Sequence, residues 1–105
     1  MNLKRKVAVI TGSRRGIGRA IAEAMAKAGA NVVISDISQE DSDKTAQEIK
    51  EKYGQDTLAV KTDVTKKEEV DNLIKSTVDR FGRIDILVNN AGIFIRKPLV
   101  EMTLE

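Results

Sequence analysis

The sequence contains no cysteine and no histidine. Without cysteine it offers neither a disulfide bridge nor a thiolate nucleophile. Metal sites lose two of their best side-chain ligands, which leaves only carboxylates, and we predict no metal site. A histidine general base is excluded as well, which removes the commonest proton-transfer group of enzymes.

Long apolar runs are also missing, and aromatic residues are few. No stretch approaches the roughly 20 apolar residues that a membrane span needs. The basic start, Met1–Lys6, leads into an apolar run that is too short for a signal peptide. One tyrosine and two phenylalanines are too few for a stacking platform on single-stranded nucleic acid. We therefore predict a cytoplasmic protein that binds neither a membrane nor nucleic acid.

Charge of neither sign dominates the chain. The 18 lysines and arginines against 16 aspartates and glutamates give a net charge of +2, and both signs are scattered, unlike a nucleic-acid footprint. Hydrophobic residues at 41% and charged residues at 32% are typical of a globular protein. A length of 105 residues suits a single domain with a small core, and we assign residues 1–105 to one domain.

Short apolar runs rich in β-branched residues alternate with stretches in which apolar residues recur at helical spacing. The apolar runs predict four strands buried on both faces, at residues 6–11, 31–35, 57–61 and 84–88. Asp85 is the one polar interruption of the last strand. The alternation predicts an α/β fold, and strands of this kind form a parallel sheet with helices on both faces.

Three amphipathic helices separate the predicted strands. The second helix covers Gln39–Tyr53 behind a Ser38 cap, and the third runs to Phe81 behind a capping box at Thr65–Glu68. The first helix has an inner stripe of Ile17, Ala20, Ile21, Ala24, Met25 and Ala28. A glycine follows each helix, at Gly29, Gly54 and Gly82.

The βαβαβαβ order matches one half of a Rossmann-type, doubly wound fold, truncated after its fourth strand. That fold gives the strand order 3-2-1-4. We interpret Leu99–Glu105 as the start of another helix. The fourth strand would then have a bare apolar edge, so we predict a homodimer or higher oligomer, or a tail that covers the edge through Ile93–Ile95.

A glycine-rich segment joins the first strand to the first helix. Glycine lets the backbone turn sharply and approach a ligand closely. The helix beyond it presents unpaired N–H groups and the positive end of its dipole, which suits a pyrophosphate. The strand–turn–helix context favours phosphate binding over a merely structural turn. The candidate binding residues are Gly12, Ser13, Arg14, Arg15, Gly16, Ile17 and Gly18.

Asp36 ends the second strand, where this fold places a carboxylate beside the adenosine ribose. It would accept hydrogen bonds from both ribose hydroxyls and repel a 2′-phosphate. A turn or helix-capping aspartate is the alternative, and the neighbouring Ile37 is a further candidate contact. Arg15 argues the other way, because a basic side chain in the loop suits a 2′-phosphate. We predict that NAD(H) is preferred over NADP(H).

Two further segments follow the third and fourth strands. Asp63 and Val64 lie where the carboxylate would reach the adenine edge, or they form a plain turn. Asn89–Gly92 borders the crevice between strands one and four, where ligands bind in such sheets, although an ordinary Asn-Gly turn fits almost as well. The asparagines could bridge the loop and sheet backbones. The candidates here are Asn90, Ala91 and Gly92.

Together these segments resemble the short-chain dehydrogenase/reductase family, from about Lys6 to the end of the sequence. The likeness is to acyl-carrier-protein reductases and sugar-acid dehydrogenases, and rests on Thr11–Gly18, Asp36, Asp63–Val64 and Asn89–Gly92. It implies a pyrophosphate loop shaped by Gly12, Gly16 and Gly18 with main-chain contacts from Ile17. It also implies NAD selection by Asp36, adenine held by Asp63 and Val64, and a nicotinamide-side ribose lined by Asn90, Ala91 and Gly92.

The family's catalytic Ser and Tyr-x-x-x-Lys lie beyond the NNAG segment, and this sequence stops first. Tyr53, the only tyrosine, is followed four positions later by Thr57, so we assign no catalytic residue. The resemblance implies the NAD(H)-binding half of an oxidoreductase. If it is active alone, we expect diaphorase-type reduction of dyes, quinones or flavins by NADH. The alternative is an inert dinucleotide-binding piece that needs the missing half. A bound flavin is compatible with the sequence, but nothing in it indicates one.

Overall fold

The computed structural model describes residues 2–14, 16–90 and 100–103. Its strands are all parallel and form one sheet of order β3-β2-β1-β4-β5. The predicted order of the first four strands and the Rossmann-type architecture are confirmed. The elements along the chain are β1 (Val7–Thr11), α1 (Gly16–Lys27), β2 (Asn31–Asp36), α2 (Gln39–Tyr53), β3 (Thr57–Lys61), α3 (Lys67–Phe81), β4 (Ile86–Asn89) and β5 (Val100–Thr103).

The fifth strand corrects the interpretation of the C-terminal segment. We predicted a helix starting within Leu99–Glu105, but Val100–Thr103 pairs in parallel with β4, with Val100 opposite Ile86. Pairing overrides the local pattern because β4 presents a row of backbone groups that need hydrogen-bond partners. The edge of β4 is therefore covered, and the argument that two chains join there is wrong. The predicted cover, Ile93–Ile95, lies outside the described residues.

Strands β1, β2 and β4 are buried on both faces, as the apolar runs predicted, whereas β3, at the edge of the sheet, is mostly half-buried. The side chains of β1 alternate: Ala8 and Ile10 pack towards α1 and α2, whereas Val7 and Val9 pack towards α3. Each face thus has its own apolar core, and the central strand contributes to both. None of the helices in the described part of the chain has the length and apolar character that crossing a membrane requires.

The buried face of α1 differs from the predicted stripe. Its buried residues are Gly18, Ala22, Met25 and Ala26, whereas Ala20 and Ala24 are exposed and Ile17 is 70% exposed. Apolar spacing gave no weight to Gly18, which turns out to be the point where the helix meets the sheet. The helix is rotated so that Gly18, Ala22 and Ala26 face inward.

The outer edge of β3 is occupied by a side chain rather than by another strand. Gln39, the first residue of α2, accepts a hydrogen bond from the Lys61 N–H through Oε1 at 2.9 Å. Its Nε2 donates to the Ala59 carbonyl oxygen at 3.2 Å. An adjacent parallel strand would use the same two backbone groups. The glutamine amide thus takes the place of a strand at this edge.

Asp85 lies just before β4, not inside it as predicted, and clamps the start of β1. Its Oδ2 accepts the Val7 N–H at 2.8 Å, and its own N–H donates to the Val7 carbonyl at 2.9 Å. Burial raises the pKa of Asp85, but hydrogen bonds from Arg83 and from the Val7 amide outweigh burial and leave the pKa below its ordinary value. The charged carboxylate therefore stabilises the folded chain.

Replacing Asp85 by alanine should lower the free energy of unfolding by about 1–3 kcal/mol, because the Val7 amide loses a charged acceptor. Since the folded-state pKa is depressed, this contribution is present above the ordinary aspartate pKa of about 3.9 and is lost as the pH falls through the folded value. Urea titrations at pH 7 and pH 3 measure it. Asp79→Ala is the control, because Asp79 forms an exposed ion pair with Lys75 worth at most about 1 kcal/mol. Equal losses for the two variants would contradict the clamp.

Candidate functional site

The glycine loop leaves β1 at the carboxyl edge of the sheet. Gly12 and Gly16 have φ angles of +62° and +63°, a left-handed conformation that favours glycine. Ser13 is fully buried: its hydroxyl donates to the Ile10 carbonyl at 2.6 Å and accepts the Ser35 N–H at 2.9 Å. Ser13, one of the predicted binding residues, thus supports the loop from beneath by tying it to β1 and β2.

The start of α1 lies against the loop at Gly18. A Cβ at Gly18 would lie 2.1 Å from the Gly12 carbonyl oxygen and 2.6 Å from Asn90 Nδ2. By contrast, no atom of the described residues lies within 4 Å of a Cβ built on Gly16. The loop is therefore tightly packed underneath and open above, where the first turn of α1 begins.

Asp36 lies at the end of β2, as predicted, and contacts the loop. Its Oδ1 accepts the Ile37 N–H at 2.8 Å, and its Oδ2 is 3.4 Å from the Arg14 N–H. The Arg14 Nε lies 3.3 Å from Asp36 Oδ1, and Arg14 Nη1 lies 2.7 Å from Asp41 Oδ2. Sequence reasoning missed Asp41, because nothing in the spacing relates the first turn of α2 to the loop.

Asp63 follows β3, and its contacts show that the capping box predicted at Thr65–Glu68 does not form. Its Oδ1 accepts both the Thr65 hydroxyl at 2.6 Å and the Thr65 N–H at 3.0 Å. The helix cap is Lys66, without a side-chain bond, because the carboxylate captures the Thr65 hydroxyl. Glu69, not Glu68, reaches back and accepts the Asp63 N–H at 2.9 Å. The hydrogen bonds from the Thr65 hydroxyl and N–H hold the pKa of Asp63 below its ordinary value.

The asparagines after β4 join the loop to the sheet. Asn90 Nδ2 donates to the Gly12 carbonyl at 3.3 Å, and the Asn90 N–H donates to Thr11 Oγ1 at 3.0 Å. The Thr11 hydroxyl donates in turn to Asn89 Oδ1 at 3.1 Å. The predicted bridging between loop and sheet is thereby confirmed for Asn90. Asn89 is fully buried, and its Nδ2 has no acceptor among the described residues.

The parallel register brings the separate segments to one edge. Thr11 is paired with Ser35 on one side and with Asn89 on the other. The residues that follow these three, Gly12, Asp36 and Asn90, therefore emerge side by side. Lys61 pairs with Asp36, so Asp63 continues the same row. Three predicted contact residues, Arg15, Ala91 and Gly92, lie outside the described residues.

Comparison with known proteins shows the family of the chain. The family described as short chain dehydrogenase matches residues 6–105. The chain belongs to the short-chain dehydrogenase family. It is 49% identical over 105 residues to sorbitol dehydrogenase from Cereibacter sphaeroides, covering 100% of this chain and 40% of that protein. It is 43% identical over 97 residues to a diacetyl reductase, (S)-acetoin forming, from Staphylococcus epidermidis, covering 92% of this chain and 37% of that protein.

A solved structure of the same family agrees with the fold. L-sorbose reductase from Gluconobacter frateurii, complexed with NADPH and L-sorbose, superposes with a TM-score of 0.85 and 45% sequence identity. The match covers 92% of this chain and 37% of the reductase. The chain thus spans about two fifths of the length of these relatives.

Replacing Gly18 by alanine should destabilise the chain by at least about 2 kcal/mol, because the added methyl group overlaps the Gly12 carbonyl. Gly54→Ala is the control: unlike at Gly18, a Cβ built on Gly54 has no atom of the described residues within 4 Å. Its φ of +78° costs a side chain only about 1–2 kcal/mol of strain. Urea unfolding of both variants makes the comparison. A smaller loss for Gly18→Ala than for Gly54→Ala would show that the helix–loop contact is not tight.

Proposed function

We propose that the chain is the dinucleotide-binding half of a short-chain oxidoreductase and that it prefers NAD(H) to NADP(H). The observation that carries the proposal is the row of Asp63, Asp36, Gly12 and Asn90 along one carboxyl edge, with an open loop in its middle. A dinucleotide has an adenine, a ribose and a pyrophosphate in the same linear order. The names of the relatives, sorbitol dehydrogenase and diacetyl reductase, support oxidoreductase chemistry.

The pyrophosphate would lie over Gly16 and the first turn of α1. That turn contains no acidic residue, whereas the first turns of α2 and α3 each contain two. The positive end of the α1 dipole is therefore left to an external anion. The open space above Gly16 lets the ligand approach the main chain. Ile17, at 70% exposure, would cover the phosphates from the helix side.

The adenosine would lie between Asp36 and Asp63. Asp36 Oδ2 has only a long contact to the Arg14 N–H, so it can accept from a ribose hydroxyl. Arg14 Nε is buried without a hydrogen-bond acceptor in the described chain, and a ribose oxygen would supply one. Ile37 is 63% exposed beside Asp36 and offers an apolar surface to the adenine ring. These residues fit the group. Val64 would complete the adenine contacts, and Asn90, Ala91 and Gly92 would line the ribose on the nicotinamide side.

A bound nicotinamide supplies the hydride, and the chain holds and orients it. Tyr53, the one tyrosine of the sequence, lies away from this edge. Its hydroxyl donates a hydrogen bond to Glu23 at 2.9 Å, between α2 and α1. It therefore cannot protonate a substrate oxygen at the site. We infer that the chain alone reduces acceptors that need no oriented proton donor, such as dyes, quinones or flavins. Carbonyl reduction of the kind the relatives' names describe would require the remaining length of such a protein.

A second candidate cofactor is NADP(H). The L-sorbose reductase structure contains NADPH, and Arg15 belongs to the loop. Asp36 favours NAD(H), because its carboxylate would repel a 2′-phosphate. The two candidates differ only at the ribose 2′-position, so a direct comparison of NADH with NADPH separates them.

NADH should bind the chain, and Gly16→Ala should weaken binding at least about tenfold, the equivalent of one lost charge-assisted hydrogen bond. The measurement is calorimetric titration with NADH and adenosine diphosphate. Gly54→Ala is a matched control, because Gly54 has a similar positive φ and equally open surroundings but lies at the end of α2. Equal affinities of the two variants would place the phosphates elsewhere, and absence of binding by the unmodified chain would refute the proposal.

The chain should also catalyse reduction of a redox dye by NADH, at a rate above that of free NADH. Because the rate of dye reduction should depend on the glycine loop, Gly16→Ala should lower this rate, whereas Gly54→Ala should leave it unchanged. A spectrophotometric assay at saturating dye measures both. NADH binding without any rate above the uncatalysed reaction would favour the inert dinucleotide-binding alternative.

A further inference from the structure

The guanidinium of Arg14 lies between two carboxylates and is held unequally by them. Its Nη1 donates a well-aligned hydrogen bond to Asp41 Oδ2 at 2.7 Å. Its Nε lies 3.3 Å from Asp36 Oδ1 but without hydrogen-bond alignment, since Nε has no acceptor in the described chain. The arginine is therefore anchored at Asp41 and contacts Asp36 through charge alone.

The main chain of Arg14 is fixed independently of its side chain. The Arg14 carbonyl accepts the Thr45 hydroxyl of α2 at 3.0 Å, and the preceding Ser13 is tied to β1 and β2. With the backbone held, the direction of the guanidinium depends on its own partners. Asp41 provides the shorter and better aligned of the two.

Arg14 also lines a cleft of about 280 Å³ between α1 and α2. The charged side chains around that cleft are three cations and two anions: Arg14, Arg19, Lys44, Asp41 and Glu48. The other four charges balance, so Arg14 itself provides the one surplus positive charge of the cleft, and an arginine released from Asp41 would be free to offer that charge to an anion. Next to Asp36, the nearest anion that a dinucleotide could bring is a 2′-phosphate.

The two forms of the cofactor make different demands on this arginine. A 2′-hydroxyl can donate to Asp36 and accept from Arg14 Nε, so it is compatible with the arginine as it stands. A 2′-phosphate carries close to two negative charges and needs a cation that is not already neutralised. Asp36, Asp41 and Arg14 together carry one net negative charge, which disfavours the phosphate.

We propose that Asp41 is a specificity-determining residue that acts by positioning Arg14. By holding the guanidinium against Asp36, Asp41 keeps the ribose site suited to a 2′-hydroxyl. Without the Asp41 carboxylate, Arg14 is available to a 2′-phosphate, and the preference moves towards NADP(H). The inference rests on the proposed dinucleotide binding and adds to it a residue that the sequence pattern does not mark.

The test is the ratio of the dissociation constants for NADH and NADPH, measured by the fluorescence of the bound dinucleotide. Asp41→Asn should shift the ratio about five- to tenfold towards NADPH, the size expected when one charge-assisted contact becomes available. Asp41 is about half exposed, so the variant should fold. Glu40→Gln is the matched control, because Glu40 shares the first turn of α2 but forms no ion pair within the described residues. It should leave the ratio unchanged.

Repeating Asp41→Asn in an Arg14→Gln background separates positioning from simple charge removal. If Asp41 acts through Arg14, the shift caused by Asp41→Asn disappears in the Arg14→Gln background. With Arg14 present, Asp41→Glu keeps the carboxylate and should keep the original ratio. An equal shift in both backgrounds, or no shift in either, would overturn the positioning role while NADH still binds. Failure of the unmodified chain to bind either dinucleotide would instead refute the proposed function itself.

Discussion

The close approach of α1 to the end of β1 determines how the rest of the edge is built. With no side chain at Gly18, the helix begins against the Gly12 carbonyl and Asn90. Asn90 can then bond that same carbonyl, which ties β4 to the loop. Because the first turn is held at this point, its main-chain N–H groups face the open side above Gly16. The absence of a side chain at Gly18 thus allows β1, the glycine loop, α1 and β4 to pack together.

The sequence predicted those parts of the fold in which local signals agree. The helix Gln39–Tyr53 and the strand Thr57–Lys61 have the predicted bounds, because strong periodicity coincides there with a serine cap and a closing glycine. The buried face of α1 was wrong, since a packing glycine carries no weight in an apolar pattern. Strand β5 was missed because it has only four residues and no clear period of its own, and its pairing with β4 leaves no trace in the local spacing.

The site was predictable where a fold rule fixes position. The ends of parallel strands meet at one edge, so Asp36 and Asn90 could be placed from the strand order alone. The side-chain contacts were not predictable in the same way. Ser13 reads as a loop residue yet is buried under the loop, and Thr65 reads as a helix cap yet bonds Asp63. Such contacts depend on rotamers and tertiary distances that a single sequence does not specify.

The Gln39 side chain at the outer edge of β3 has a consequence for assembly. Growth of a fibril by edge-to-edge pairing of strands requires an unpaired strand at both ends of each molecule's sheet. In this chain Gln39 occupies the backbone groups of Ala59 and Lys61 at one end, whereas β5 forms the other end of the described sheet. The β3 end of the sheet is therefore closed to the strand-by-strand addition that builds fibrils, because an incoming strand would first have to displace this glutamine.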